Sequence, residues 1–407
     1  MALAAWVPYP ESVRVVVVAV IVALCGVRVA GAQDDDRAQY PAFLRNSYFA
    51  INLGYVDYAF SDRQLEPGFQ ALGIAVPHVA ARVAVLGHEF NRYFSLQATY
   101  MRPVRFVTYT DINSDRSAHH VWTHFGGVTL KALLPVTTRT SIYGEAGLGI
   151  TSRHGFGTSA VPIVRNAHYA SALLGAGGEY RLTPAWDLTA GATYSSSSAR
   201  GNEPGALLLS AGFRYTMRPL TPDEVRANLQ PGIIFPKRAL QLEYSTGYGY
   251  GVNTFVSKTV PVFWGGNVKV DRGLALHYER NVFHTARIFA LDFGTSASTW
   301  RSRENHDRFF TLSIYPLFRF TVLRTKPANL FAAYSLAGPT YISKTIIDGQ
   351  NTGSRFTFQD FIEVGAFVGP RRHAIVSVKI NHYSNGNLLT QNAGLKIPLT
   401  FGVGYTF

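Results

Sequence analysis

The chain has 407 residues, of which 47% are hydrophobic and 15% charged, with a formal net charge of +13. Its single cysteine, Cys25, excludes a disulfide framework. A balance this basic calls for an anionic partner, either nucleic acid or the phosphates of a lipid or polysaccharide, and the first segment bears on that choice.

Arg14 precedes an apolar run from Val15 to Val27, roughly half the ~20 residues a membrane-spanning helix needs. Ala30, Gly31 and Ala32 then supply the small residues a signal peptidase reads. The expectation is a signal peptide over residues 1–32. The alternative is an uncleaved anchor or short buried helix, and a lipoprotein reading of V-A-L-C-G is disfavoured by bulky Leu24. Cleavage removes Cys25 and leaves a net charge of about +12. Export favours lipid or polysaccharide phosphate as partner and argues against nucleic acid.

No later segment approaches 18 continuous apolar residues, so helical spans are not expected. Instead, stretches of ~10 residues alternate apolar with small or polar residues, the pattern of a transmembrane β-barrel. About eight occur first: 48–58, 79–90, 93–104, 121–136, 140–152, 169–182, 186–196 and 206–217. A linker at 218–237 follows, carrying Pro219, Pro222, Pro231 and Pro236 and a short predicted helix near Asp223–Leu229. About eight more stretches come after it: 239–249, 262–278, 285–298, 309–322, 330–343, 356–368, 373–384 and 397–407. The last is the clearest, with Phe401, Val403, Tyr405 and Phe407 on one face and Thr400, Gly402, Gly404 and Thr406 on the other.

The predicted fold is therefore all-β, with two tandem eight-stranded antiparallel transmembrane barrels at 40–217 and 238–407. One sixteen-stranded barrel is the alternative, disfavoured by the long Pro-rich linker. The predicted location is the outer membrane of a Gram-negative-type bacterium.

Among motifs, no G-x-S-x-G elbow, phosphate loop or H-E-x-x-H is present. GYGYG at Gly247–Gly251 reads as part of a strand with glycine curvature rather than a phosphate site. His119–His120 is expected in a surface loop without a ligand set for metal. His88 and Glu89 fall on opposite faces of one strand, and Ser195–Ser198 reads as a loop.

The stretch INHYSNGNLLTQNAGLK, Ile380–Lys396, holds the chemistry. Ala374, Val376, Val378 and Ile380 form an apolar, lipid-facing stripe, and His382 and Ser384 continue it. Polar groups on such a stripe are costly unless they serve a purpose. Imidazole and hydroxyl at this spacing suit nucleophilic acyl transfer, although H-x-S is short, and loop residues beyond the membrane are the plainer reading. On the preceding strand Asp360 interrupts the apolar stripe of Phe356, Phe358, Ile362, Val364, Ala366 and Val368. A turn at Gly369–Arg372 would bring it level with His382, where a carboxylate can orient an imidazole. The plainer reading of Asp360 is a marker of the membrane edge.

LDFGTSASTW (Leu291–Trp300), FTFQDFIEVGAFVG (Phe356–Gly369) and NHYSN…NAGL (Asn381–Leu395) together resemble the PagL-type lipid A 3-O-deacylase family over roughly 238–407. The resemblance implies an eight-stranded outer-membrane barrel that hydrolyses the 3-O-linked acyl ester of lipid A without a cofactor or metal. It implies Ser384 as nucleophile, His382 as general base, and Asn392, with Asn385, as substrate or oxyanion contacts. Phe358 and Asp360 match a Phe-x-Asp pair near the family's site. The departure is Lys396, where the family carries the acidic triad member Glu. Strand parity turns Lys396 inward unless Pro398 marks a bulge, and Asp360 is then the candidate replacement acid. The readings left open are a lipid A esterase, a catalytically silent barrel that binds lipopolysaccharide or is structural, and a chain whose function lies in the first barrel as a porin-like or adhesion module.

Overall fold

The structure is a computed structural model that describes residues 37–113, 115–157, 161–230, 235–259, 266–389 and 391–407. The expected signal peptide and Cys25 lie outside the described residues.

The first eight barrel strands are β1 (Ser47–Tyr58), β2 (Val79–Glu89), β3 (Phe94–Pro103), β4 (Asp115–Pro135), β5 (Thr140–His154), β6 (Ala167–Arg181), β7 (Trp186–Ser195) and β8 (Ala206–Thr216). Each pairs antiparallel with its chain neighbours, and β1 pairs with β8 to close the cylinder. Two shorter strands, Ala71–Ala75 and Val107–Ile112, extend the sheet beyond β4 at the long-loop end. Helix α1 (Pro222–Leu229) follows, opened by a capping box between Thr221 and Glu224.

The second barrel comprises β9 (Arg238–Ser245), β10 (Val268–His284), β11 (Phe289–Ser302), β12 (Arg308–Arg324), β13 (Ala328–Ile342), β14 (Phe356–Val368), β15 (Ala374–Ser384) and β16 (Leu395–Thr406). It closes through an antiparallel β9–β16 pair. Two closed barrels, and not one of sixteen strands, are thus the architecture. Their outward residues are exposed and apolar, as at Leu148 (75%), Val364 (61%) and Val403 (62%). Rings of such side chains suit acyl chains rather than water, and the chain is an outer-membrane barrel protein. Short turns and the two ends of each barrel lie together, which makes that end periplasmic and puts the 385–394 loop at the outer surface.

The GYGYG expectation is corrected. Strand β9 stops at Ser245, and Tyr250 begins helix α2 (Tyr250–Thr259). Gly249 sits at φ +86° with the Leu399 side chain against it, which no residue with a Cβ would tolerate. His119 and His120 are also corrected: they belong to β4, and His119 Nε2 lies 3.1 Å from Asp115 Oδ2. Residues four apart on a strand share a face.

Both interiors are filled by ion networks. In the first, Arg82 pairs with Glu145 at 2.8 Å, and Arg214 with Asp187 at 2.8 Å and Glu179 at 3.0 Å. In the second, Lys379 lies between Glu243 and Glu363, His277 Nε2 is 3.2 Å from Glu243, and Arg319 binds Glu279 at 2.7 Å and also Asp292. Such pairs offset one another's desolvation only while both partners remain. Lys379→Met should therefore destabilise the second barrel by about 3–5 kcal/mol in urea unfolding followed by gel mobility. Adding Glu363→Gln should recover part of the loss, and an unchanged midpoint for Lys379→Met would refute this account.

Candidate active site

The site begins with one inward side chain. Tyr383 is fully buried in the barrel interior, and its hydroxyl accepts from Thr311 Oγ1 at 3.2 Å and Gln359 Nε2 at 3.1 Å. Because neighbours on a strand alternate, pinning Tyr383 inward turns His382 and Ser384 outward. The β14–β15 register then sets Asp360 opposite His382 and Phe358 opposite Ser384. All four outward residues come from two adjacent strands near their outer ends.

His382 Nδ1 lies 3.8 Å from Asp360 Oδ2, an ion-pair distance longer than a direct hydrogen bond. The other oxygen of Asp360 accepts from the backbone N–H of Ala337 at 2.6 Å. That N–H is available because β13 bulges between Ser335 and Gly338, with Ala337 at φ +51°. A bulge beside a site that re-aims one group is a recurrent device in sheets.

A second bulge answers the question of Lys396. The β15–β16 register shifts between Lys379 and Asn381, so that Lys379 faces Thr400 while His382 faces Lys396. Leu395 and Ile397 are buried inside, whereas Phe401 and Val403 point out. The parity thus reverses across Pro398, and Lys396 points outward, directly across from His382. The inward expectation is corrected; the extra residue at the proline is the physical reason. The Lys396 ammonium lies 3.4 Å from Thr254 Oγ1 of α2.

The expectation that His382 and Ser384 meet lipid also changes. They are only 1% and 9% exposed, and Asp360 3%. Helix α2 packs across the outer face of β15 and β16, with buried Asn253 donating to the Ile397 carbonyl. Its other side carries exposed Val252 and Phe255. The helix has a polar face toward the catalytic candidates and an apolar face away from them. Sequence reasoning ended a strand at 249, began the next at 262 and gave the residues between no element, and so missed Asn253 and Thr254. Polar residues adjacent within the apolar run Val252–Val256 were the available signal.

Around the loop, Asn392 Oδ1 accepts from the Asn385 N–H at 3.0 Å, and Asn392 Nδ2 donates to Asn387 Oδ1 at 2.8 Å. Asn392 is thus brought to the residue next to Ser384. Asn385 is buried, and its amide donates to the carbonyls of Thr352 at 3.2 Å and Gln391 at 2.6 Å. Its N–H and amide are engaged within the loop and at Thr352. Gly386 N–H approaches Ser384 Oγ at 3.4 Å. Among the described residues no group of His, Cys, Asp and Glu is set to hold a metal.

The structure of the outer-membrane enzyme PagL is 18% identical, covering 42% of this chain and 99% of its own, with a TM-score of 0.32. The Yersinia pestis attachment invasion locus protein Ail gives 16% identity, 42% and 99% coverage and a TM-score of 0.26. The N-terminal β-barrel domain of Pseudomonas aeruginosa OprF gives 16%, 42% and 98%, and 0.26. No curated protein matches the chain. A family model does: residues 272–406, from within β10 through β16, match the lipid A 3-O-deacylase family, PagL.

Proposed function

We propose that the second barrel is an outer-membrane esterase that removes the 3-O-linked acyl chain of lipid A. The observation that carries this reading is the outward alignment of Asp360 with His382, and of Ser384 on the same face, inside the segment matched by the deacylase family. In this mechanism His382 takes the Ser384 proton as the hydroxyl oxygen attacks the ester carbonyl. The tetrahedral oxyanion is met by the Asn392 amide. Collapse expels the sugar 3-hydroxyl, which takes the proton from His382 and leaves an acyl-serine. Water, deprotonated by the same imidazole, attacks the acyl-serine, and release of the free fatty acid returns the proton to Ser384. Asp360, 3.8 Å from His382, orients the ring and stabilises the imidazolium through its charge or one bridging water. The basic chain suits a bisphosphorylated substrate.

One observation favours a second reading, a silent barrel that binds lipopolysaccharide. Lys396 faces His382 across the strand pair, and a cation there opposes the imidazolium that catalysis must form. In the serine-protease template, disabling the triad acid costs ~10⁴ in turnover.

Mass spectrometry of lipid A from a bacterium expressing the chain tests both. The wild type should remove one 3-hydroxyacyl chain and Ser384→Ala none. Unchanged lipid A with correctly inserted wild type would overturn the esterase reading in favour of the silent barrel. Lys396→Glu should raise turnover by roughly tenfold or more, since it replaces a repelling charge with an orienting one. Asp360→Asn should lower wild-type turnover by about 10²-fold, yet cost the Lys396→Glu variant far less, because a second acid is then in place. Equal losses in the two backgrounds would remove Asp360 from the triad.

A further inference from the structure

The outer wall of the first barrel carries a row of polar residues that the mechanism above does not use. Ser152 on β5 lies opposite His124 on β4 and His168 on β6. It has the parity of exposed Ile142 and Leu148, so it points out of its barrel. Polar side chains on that face are costly in lipid. Here they are covered: Ser152 is 3% exposed and donates to the Asn387 carbonyl of the second barrel at 2.6 Å. With that proton committed, His168 Nδ1, 2.8 Å away, donates to Ser152 Oγ. The Asn387 side chain also lies beside His154, two residues along the same face. Leu388 lies against Gly126, where a Cβ would sit 2.8 Å from its methyl.

Asn387 is the residue that receives the Asn392 amide, and Asn392 in turn accepts from the N–H that follows Ser384. A continuous set of hydrogen bonds therefore runs from the wall of one barrel to the backbone N–H next to the candidate nucleophile of the other. Asn387 and Gly386 form the tip of the loop, both at positive φ, +59° and +64°.

We propose that the first barrel is a positioning wall for the active-site loop: Ser152 and Gly126 hold Asn387 and Leu388, and through them fix Asn392 beside Ser384. Ser152 is a positioning residue in this scheme and touches no substrate. The proposal rests on the esterase reading above and assigns the first barrel a part in that reaction. A displacement of about 1 Å at a reacting group costs on the order of 10²-fold in rate, so small losses of grip are visible in turnover.

The test uses the full chain, with purified lipid A in detergent as the probe. Ser152→Ala should lower kcat by roughly tenfold or more with KM unchanged. Ser152→Thr, which keeps the hydroxyl, should restore it. Gly126→Phe, which displaces Leu388, should lower kcat in the same way. Docking is read separately, by oxidative cross-linking of Gly126→Cys with Leu388→Cys in a Cys25→Ser background in intact membranes. Efficient cross-linking together with the kcat-specific losses supports the proposal. Absent cross-linking, or wild-type kcat in both Ser152→Ala and Gly126→Phe, overturns it while leaving the Ser384-dependent esterase intact. Efficient cross-linking of the cysteine pair, alongside a wild-type chain that releases no acyl chain, overturns the esterase reading and reduces the contact to packing, which also removes the positioning role.

Discussion

Everything at this site depends on the two-residue period of an extended strand. Tyr383 is drawn inward by two hydrogen bonds in a filled interior, and that single choice sends His382 and Ser384 to the outside. A slip of one residue would turn both into the barrel and Tyr383 to the outer face beneath α2. The ion network beneath enforces the same register from another direction, since Lys379 must reach Glu243 and Glu363. The charges that fill the barrel and the candidate catalytic groups on its outside are thus held by one alignment of β15.

Within that alignment, bulges supply the irregularity that chemistry needs. The one in β13 frees a backbone N–H to hold Asp360. The one at Pro398 turns Lys396 to the site. The two have opposite effects on an imidazolium at His382: the first secures a carboxylate beside it, the second delivers a cation. On the esterase reading proposed above, the balance between an anchored Asp and an opposing Lys, rather than the presence of Ser and His, decides turnover.

Much of this was legible in the sequence because period-two patterning reports faces directly. Phe356–Val368 was delimited as β14 to the residue, and counting back from the Gly369–Arg372 turn brought Asp360 level with His382. What was illegible has physical reasons. Alternating Gly and Tyr at Gly247–Gly251 imitates a strand, and only the left-handed backbone of Gly249 shows that the sheet has ended. A proline in an edge of a repeat marks a bulge as a possibility, but its direction follows from neighbours on another strand. The contact between Ser152 and Asn387 joins residues 235 apart in the chain, beyond any local pattern.

The same two barrels are tied at their periplasmic ends. Tyr40 stacks on Phe283 at 4.3 Å and hydrogen-bonds Tyr215 at 2.6 Å, while Arg37 donates to Asn281 at 3.0 Å. Each cylinder closes through its own first and last strands, β1 with β8 and β9 with β16. Closure of either requires nothing from the other, whereas the grip on Asn387 requires both. The final shape of the loop thus depends on both cylinders standing closed side by side. A chain that had closed each cylinder but not brought them together would lack the Ser152–Asn387 contact that holds the loop tip.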